Sequence, residues 1–71
     1  MTLKRFGKML KRIRQEKGLT QDALAKKAEI SRVYLAQLEG SAKKAPIRTP
    51  SMATLERLAK ALKVKVGELL K

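Results

Sequence analysis

Hydrophobic residues recur every three or four positions along most of the chain, the spacing of helices that bury one face. The pattern predicts helices over residues 2–17, a pair of short helices within 20–40, a fourth helix over 51–62 and a short fifth over 66–70. No segment alternates hydrophobic and polar residues at the period of two that indicates a half-buried strand. The predicted fold class is therefore all-α, a compact five-helix domain spanning residues 1–71.

Each predicted helix has an apolar stripe that we expect to face a common core. These stripes are Leu3, Phe6, Met9, Leu10 and Ile13; Leu24, Ala25, Ala28, Leu35 and Leu38; Met52, Leu55, Leu58, Ala59 and Leu62; and Val66, Leu69 and Leu70. A chain of 71 residues has room for one domain with a small core.

The segment 20–40 contains two helix starts close together. Thr20 and Ser31 are placed to cap these helices, because each hydroxyl can accept a hydrogen bond from a first-turn backbone N–H. Hydrophobic residues flank both caps with the spacing of a hydrophobic staple. Gly18 and Gly40 are placed just after helix ends, where a left-handed backbone is common. Two helices joined so tightly must cross steeply, which is helix-turn-helix geometry.

One face of the second helix of this pair is not needed for packing in the core. Val33, Ala36 and Gln37 lie opposite its buried leucines. Arg32 lies at the N-terminal edge of this face, where it could bind a phosphate instead of a base. Arginine can donate two hydrogen bonds to guanine, glutamine can pair with adenine, and valine can contact a thymine methyl group. The alternative is an ordinary solvated helix face.

The charge of the chain indicates a polyanionic partner. It contains 18 Lys and Arg against 6 Asp and Glu, which gives a net charge of +12 and an isoelectric point near 10.7. A small domain this basic commonly binds nucleic acid. The alternative is a basic surface that serves solubility.

The composition argues against catalysis, metal binding and membrane insertion. Cysteine and histidine are absent, so the commonest metal ligands and the commonest general base are missing. We expect no enzyme activity, no metal and no cofactor. No apolar run approaches the roughly 20 residues of a membrane span, and the N-terminus does not resemble a signal peptide. We therefore expect a cytoplasmic, nucleoid-associated protein that does not bind membranes.

Seven short segments together resemble a known family. They are IR (13–14), GLTQ (18–21), LA (24–25), IS (30–31), LAQLEG (35–40), PSMATLERLAKAL (50–62) and VKVGELL (64–70). In this order and spacing they resemble the Cro/C1-type, or XRE, family of helix-turn-helix DNA-binding domains, which includes lambdoid phage repressors. The resemblance implies a lambda-repressor-like fold. It also implies a transcriptional regulator that reads double-stranded DNA with its third helix, as a homodimer that forms in solution or only on DNA.

The resemblance also implies roles for individual residues. Gln21 would bind a phosphate and help to align the third helix, and Arg32, Val33 and Gln37 would read bases. The residues that would hold the DNA backbone are Tyr34, Lys43, Lys44 and Arg48. Arg14 and Glu39 would form a largely buried ion pair between the first and third helices.

Two residues depart from the family pattern, since Glu29 and Lys63 stand where glycine is usual. Glycine is favoured at such a helix end because a left-handed backbone costs other residues roughly 1 kcal/mol or more. Neither departure removes a residue expected to contact DNA.

Several functions share this module. An antitoxin with a toxin partner and a restriction-modification controller fit the sequence equally well. A structural or protein-interaction domain is a further alternative, although the polar and basic third helix argues against it. RNA binding is disfavoured because Phe6 and Tyr34, the only two aromatic residues, do not make a stacking platform.

Overall fold

The computed structural model describes residues 3–40 and 50–71, which form five α-helices without a strand. The helices are α1 (Leu3–Glu16), α2 (Gln21–Ala28), α3 (Arg32–Glu39), α4 (Met52–Leu62) and α5 (Val66–Leu69). The prediction of an all-α fold with five helices is confirmed. Within the described ranges, no helix combines the length and the apolar character needed to cross a membrane.

Side-chain hydroxyl groups cap three of these helices. Thr20, Ser31 and Ser51 each accept a hydrogen bond from the backbone N–H three residues further on, at 3.0, 3.0 and 3.2 Å. These bonds satisfy N–H groups that have no partner within the helix. Ser51 therefore caps α4.

Four helices end with a left-handed residue, and only two of these residues are glycine. The φ angle is 71° at Gly18, 58° at Glu29, 78° at Gly40 and 58° at Lys63. Glu29 and Lys63, which stand where the family has glycine, thus both have the left-handed backbone that favours glycine. Three of the helix ends are followed by an apolar residue that packs against the core, which is a common companion of this turn: Leu19, Ile30 and Val64.

The core follows the predicted stripes closely. α1 packs on α3 and α2 packs on α4, and α5 closes the end of α4. The buried hydrophobic residues are Phe6, Leu10, Ile13, Leu24, Ala25, Ala28, Leu35, Leu38, Leu55, Leu58, Ala59, Leu62 and Leu69. Met9, Val66 and Leu70 are partly buried against this cluster.

The prediction that Met52 is a core residue is wrong, because its side chain is 59% exposed. Met52 is the first residue of α4. The Cα–Cβ bonds of a helix tilt toward its N-terminus, so a side chain at the first position points beyond the packed part of the helix. Buried contacts of α4 begin one turn later, at Leu55.

Gly7 allows α1 and α3 to approach closely, and the sequence pattern gave no sign of this contact. A Cβ atom added to Gly7 would lie 2.4 Å from the carbonyl oxygen of Leu38 and 3.3 Å from the Cα of Glu39. These neighbours are backbone atoms, so they cannot move aside as a flexible side chain would. The absence of a side chain at residue 7 therefore sets the distance between α1 and the end of α3.

The first prediction concerns this helix contact. Gly7→Ala should destabilise the domain by about 1–3 kcal/mol, because the methyl group forces the two backbones apart. Gly67→Ala is the matched control, since Gly67 lies in α5 and has open space around it. There alanine should be neutral or stabilise by up to about 1 kcal/mol. Urea unfolding of both variants checks this, and equal stabilities would contradict it.

The second prediction concerns the left-handed residues. Glu29→Gly and Lys63→Gly should each stabilise the domain by up to about 1 kcal/mol, because glycine removes the steric cost of a positive φ angle. Glu56→Gly is the control, since residue 56 lies inside α4, where glycine should cost about 1 kcal/mol. Thermal unfolding gives the sign of each change. A lower melting temperature for Glu29→Gly would show that its backbone is not strained.

Candidate nucleic-acid interface

One side of α3 is fixed in the core. Leu35 and Leu38 are fully buried there, and Ser31 caps the N-terminal end of the helix. At the other end, the backbone N–H of Gly40 donates to the carbonyl oxygen of Gln37 at 3.1 Å. This eight-residue helix is therefore held along one side and at both ends.

The opposite side of α3 faces solvent. This outer face consists of Arg32, Val33, Ala36 and Gln37. Arg32 is exposed, Val33 is 64% exposed, and Ala36 and Gln37 are half-buried. The structure thus brings the three residues expected to read bases onto one surface of one helix.

A buried ion pair joins α1 to the end of α3. The Nε atom of Arg14 donates to Oε2 of Glu39 at 2.7 Å, and its Nη2 atom donates to Oε1 at 3.1 Å. The side chains are 9% and 0% exposed. This fork geometry, with two parallel hydrogen bonds, is typical of strong arginine–carboxylate pairs. The expected pair between Arg14 and Glu39 is thus present.

Two further hydrogen bonds extend the ion pair into a network. Nη1 of Arg14 donates to the carbonyl oxygen of Leu19 at 2.7 Å. Nε2 of Gln21 donates to Oε1 of Glu39 at 3.1 Å. We call Arg14, Leu19, Gln21 and Glu39 the charged network. It joins the end of α3 to α1 and to the start of α2.

The bond between Gln21 and Glu39 was missed at the level of sequence. The resemblance gave Gln21 a role in aligning the third helix but did not indicate a partner. The two residues are 18 positions apart, and no local pattern links them. The signal that could have found this bond is the expected burial of Glu39. A carboxylate oxygen can accept more than one hydrogen bond, so a buried Glu39 calls for a donor besides Arg14. Among the described residues, no buried side-chain nitrogen or oxygen lacks a partner.

The residues expected to hold the DNA backbone are only partly located. Tyr34 is half-buried and packs against the core cluster, with its backbone N–H bound by Ser31. Lys43, Lys44 and Arg48 lie outside the described residues. The described part of the chain contains no group of three or more His, Cys, Asp or Glu side chains that could hold a metal ion.

A family model described as helix-turn-helix matches residues 10–69. The chain belongs to the helix-turn-helix family. This match covers every residue of α2 and α3 and confirms the Cro/C1-type resemblance. At the level of the family, the prediction of a helix-turn-helix domain is confirmed.

Relatives of this helix-turn-helix domain come from phage and bacterial regulators. It is 44% identical over 61 residues to the immunity repressor protein of Bacillus phage phi105, a match that covers 86% of this chain. The domain spans only 39% of that repressor's length. The structure also resembles the restriction-modification controller protein C.AhdI from Aeromonas hydrophila, with a TM-score of 0.81, 34% identity and 94% of each chain covered.

A further similar structure contains DNA. It is the tetramer of the restriction-modification controller protein C.Esp1396I in complex with its natural 35-base-pair operator. The TM-score is 0.73 and the identity is 31%, with 97% of this chain and 95% of the controller covered.

The third prediction concerns the charged network. Glu39→Gln should cost about 3–5 kcal/mol of folding stability, because it leaves the buried charge of Arg14 without a counter-charge. Glu16→Gln is the control, since its ion pair with Arg12 is 71% and 60% exposed. That change should cost less than about 1 kcal/mol. Denaturant unfolding measures both, and equal losses would show that the buried pair does not hold α1 and α3 together.

Proposed function

We propose that this domain binds double-stranded DNA in a sequence-dependent manner, as the DNA-binding part of a transcriptional regulator, with α3 in the major groove. The outer face of α3 carries the proposal. It carries Arg32 and Val33, which are exposed, and Gln37, which is half-buried, on a helix whose other side packs into the core. The major groove of B-DNA is about 12 Å wide and admits an α-helix.

The side chains of the outer face suit base edges. Arg32 can donate two hydrogen bonds to O6 and N7 of guanine, and Gln37 can pair with N6 and N7 of adenine. Val33 is an apolar residue with 64% of its surface exposed, and a thymine methyl group offers it an apolar contact. Ala36 is small, so the helix backbone between these side chains can approach the bases.

Contacts to phosphates would set the position of α3 on the duplex. Gln21 is the first residue of α2, where free backbone N–H groups and the helix dipole favour an anion. Because Gln21 also donates to Glu39 at the end of α3, a phosphate bound there would be linked to α3. Tyr34 is proposed as a second backbone contact. Lys43, Lys44 and Arg48 are proposed from the sequence alone.

The relatives support operator binding and leave the regulated system open. The C.Esp1396I structure holds operator DNA, and the phi105 relative is a repressor. An immunity repressor and a restriction-modification controller serve different systems, so we do not assign the regulated genes. We propose a regulator that binds an operator and acts as a repressor. None of these relatives is an antitoxin, and the proposal does not include a toxin partner.

We also propose that two copies bind one two-fold-symmetric site. One domain offers a single helix of eight residues, which reads few base pairs, and pairing about a two-fold axis is the commonest way to double it. Val64, in the turn after α4, and Val66, the first residue of α5, remain partly exposed and are the proposed contact. The tetramer on the operator of C.Esp1396I supports assembly of related chains on DNA.

The fourth prediction tests which helix reads the sequence. Selection from random duplexes should give a preferred site for the parent protein. Gln37→Ala should lose about 1–3 kcal/mol on that site and relax preference at one base pair in each half-site. Binding to random DNA should change little, because Gln37 has no charge.

Gln15→Ala is the control for this selection. Gln15 is an exposed glutamine of α1, so its loss should leave both the selected sequence and its stringency unchanged. If Gln37→Ala selects the parental sequence with parental stringency, α3 does not read bases and the proposal fails.

The fifth prediction tests the two-fold arrangement. A footprint at saturation should protect two half-sites whose centres lie about 34 Å apart, one turn of the double helix. A duplex with one half-site randomised should bind more weakly, because the second copy then contributes only non-specific contacts. Protection of a single half-site at saturation, with no loss on randomisation, would indicate a monomeric reader.

A further inference from the structure

A basic groove lies between the end of α2 and the second half of α4. Its volume is about 480 Å³. The charged residues that line it are Lys27 and Glu29 from the end of α2 and Arg57, Lys60 and Lys63 from α4 and its cap. We call this surface the α2–α4 groove. It therefore combines four positive charges with one negative charge.

The groove has an apolar component and extends toward α1. Ala28 and Ala61 line it beside the charged residues. A smaller hollow of about 150 Å³ adjoins it, with Lys27, Ala61 and Lys63 as shared lining and Lys17 as a further positive charge. The two hollows together form an elongated basic surface over aliphatic side chains.

Within residues 3–40 and 50–71, the basic residues of the two hollows form no ion pair with a carboxylate. They are Lys17, Lys27, Arg57, Lys60 and Lys63. The ion pairs found in the described part of the chain do not include any basic residue of the groove. The remaining residues, 1–2 and 41–49, contain no Asp or Glu that could supply one. Several like charges that face one concave surface repel one another, so an anionic ligand would relieve a repulsion that the fold leaves in place.

Helix dipoles do not explain the whole groove. Lys27 and Lys60 lie in the last turns of α2 and α4, where a positive charge is favourable. Arg57 lies further inside α4, and the preference for basic helix ends does not require charges from two helices to converge. No residue of the outer face of α3 lines the groove, so the proposed DNA contact does not use it.

We propose that the α2–α4 groove binds an acidic segment of a partner protein, one that combines several carboxylates with aliphatic side chains. The carboxylates would pair with Arg57, Lys60 and Lys63, and the aliphatic groups would contact Ala28 and Ala61. The Glu29 carboxylate could accept hydrogen bonds from backbone N–H groups of the segment. A DNA backbone fits less well, because its phosphates would leave the aliphatic surface unused.

The test uses a fluorescent peptide that alternates glutamate with leucine as the probe, at physiological ionic strength. The groove variant combines Arg57→Gln, Lys60→Gln and Lys63→Gln. The control variant combines Lys4→Gln, Lys8→Gln and Lys11→Gln, which removes the same charge from exposed positions of α1 outside the groove. Fluorescence anisotropy should show that the groove variant binds the peptide about tenfold more weakly than the control variant does.

Three results would overturn the proposal. The parent protein could fail to bind the peptide. The two variants could lose affinity equally, which would mean that only net charge matters. The groove variant could retain the peptide but lose binding to a random duplex more strongly than the control variant, which would make the groove a second DNA contact.

A second measurement does not depend on the variants. When the peptide is titrated into the isotope-labelled parent protein, backbone amide signals of residues 27–29 and 57–63 should shift most. Shifts concentrated on residues 32–37 would place the peptide on the proposed DNA-reading surface and would overturn the proposal.

Discussion

The buried ion pair between Arg14 and Glu39 fixes the relation between α3 and the rest of the domain. A buried pair often adds little net stability compared with apolar residues of the same shape, whereas loss of one partner is costly. Its main consequence here is therefore geometric. Glu39 accepts from Arg14 and Gln21, and Arg14 also donates to the carbonyl oxygen of Leu19. One carboxylate thus sets where α3 lies relative to α1 and to the start of α2.

Local signals made much of this fold predictable. A hydroxyl such as that of Ser31 accepts a hydrogen bond from a residue only three positions away, so a cap can be predicted from the local sequence. The apolar stripes could be predicted from helical periodicity alone. Contacts that depend on how helices meet were harder to predict. The close approach at Gly7 and the bond from Gln21 to Glu39 both join distant segments. Met52 satisfied the periodicity yet remained exposed, because periodicity does not show where a packed surface ends.

The two candidate sites differ in the same way, since one depends on local sequence and the other on how helices pack together. The outer face of α3 was predictable because its residues lie on one helix, whose spacing alone places them together. The α2–α4 groove was not, since its charges come from segments that are about 30 residues apart and become neighbours only when α2 packs on α4. The net charge of +12 indicated an anionic partner. It did not show that the basic residues lie on two separate surfaces.

Methylation interference on the selected duplex shows whether α3 contacts bases through the major groove. Methylation at N7 of guanine places a methyl group in the major groove, and methylation at N3 of adenine places one in the minor groove. If α3 lies in the major groove, N7 methylation within each half-site should block binding, and Arg32→Ala should remove the effect at one guanine. Interference from adenine N3 alone, unchanged in Arg32→Ala, would mean that α3 does not lie in the major groove.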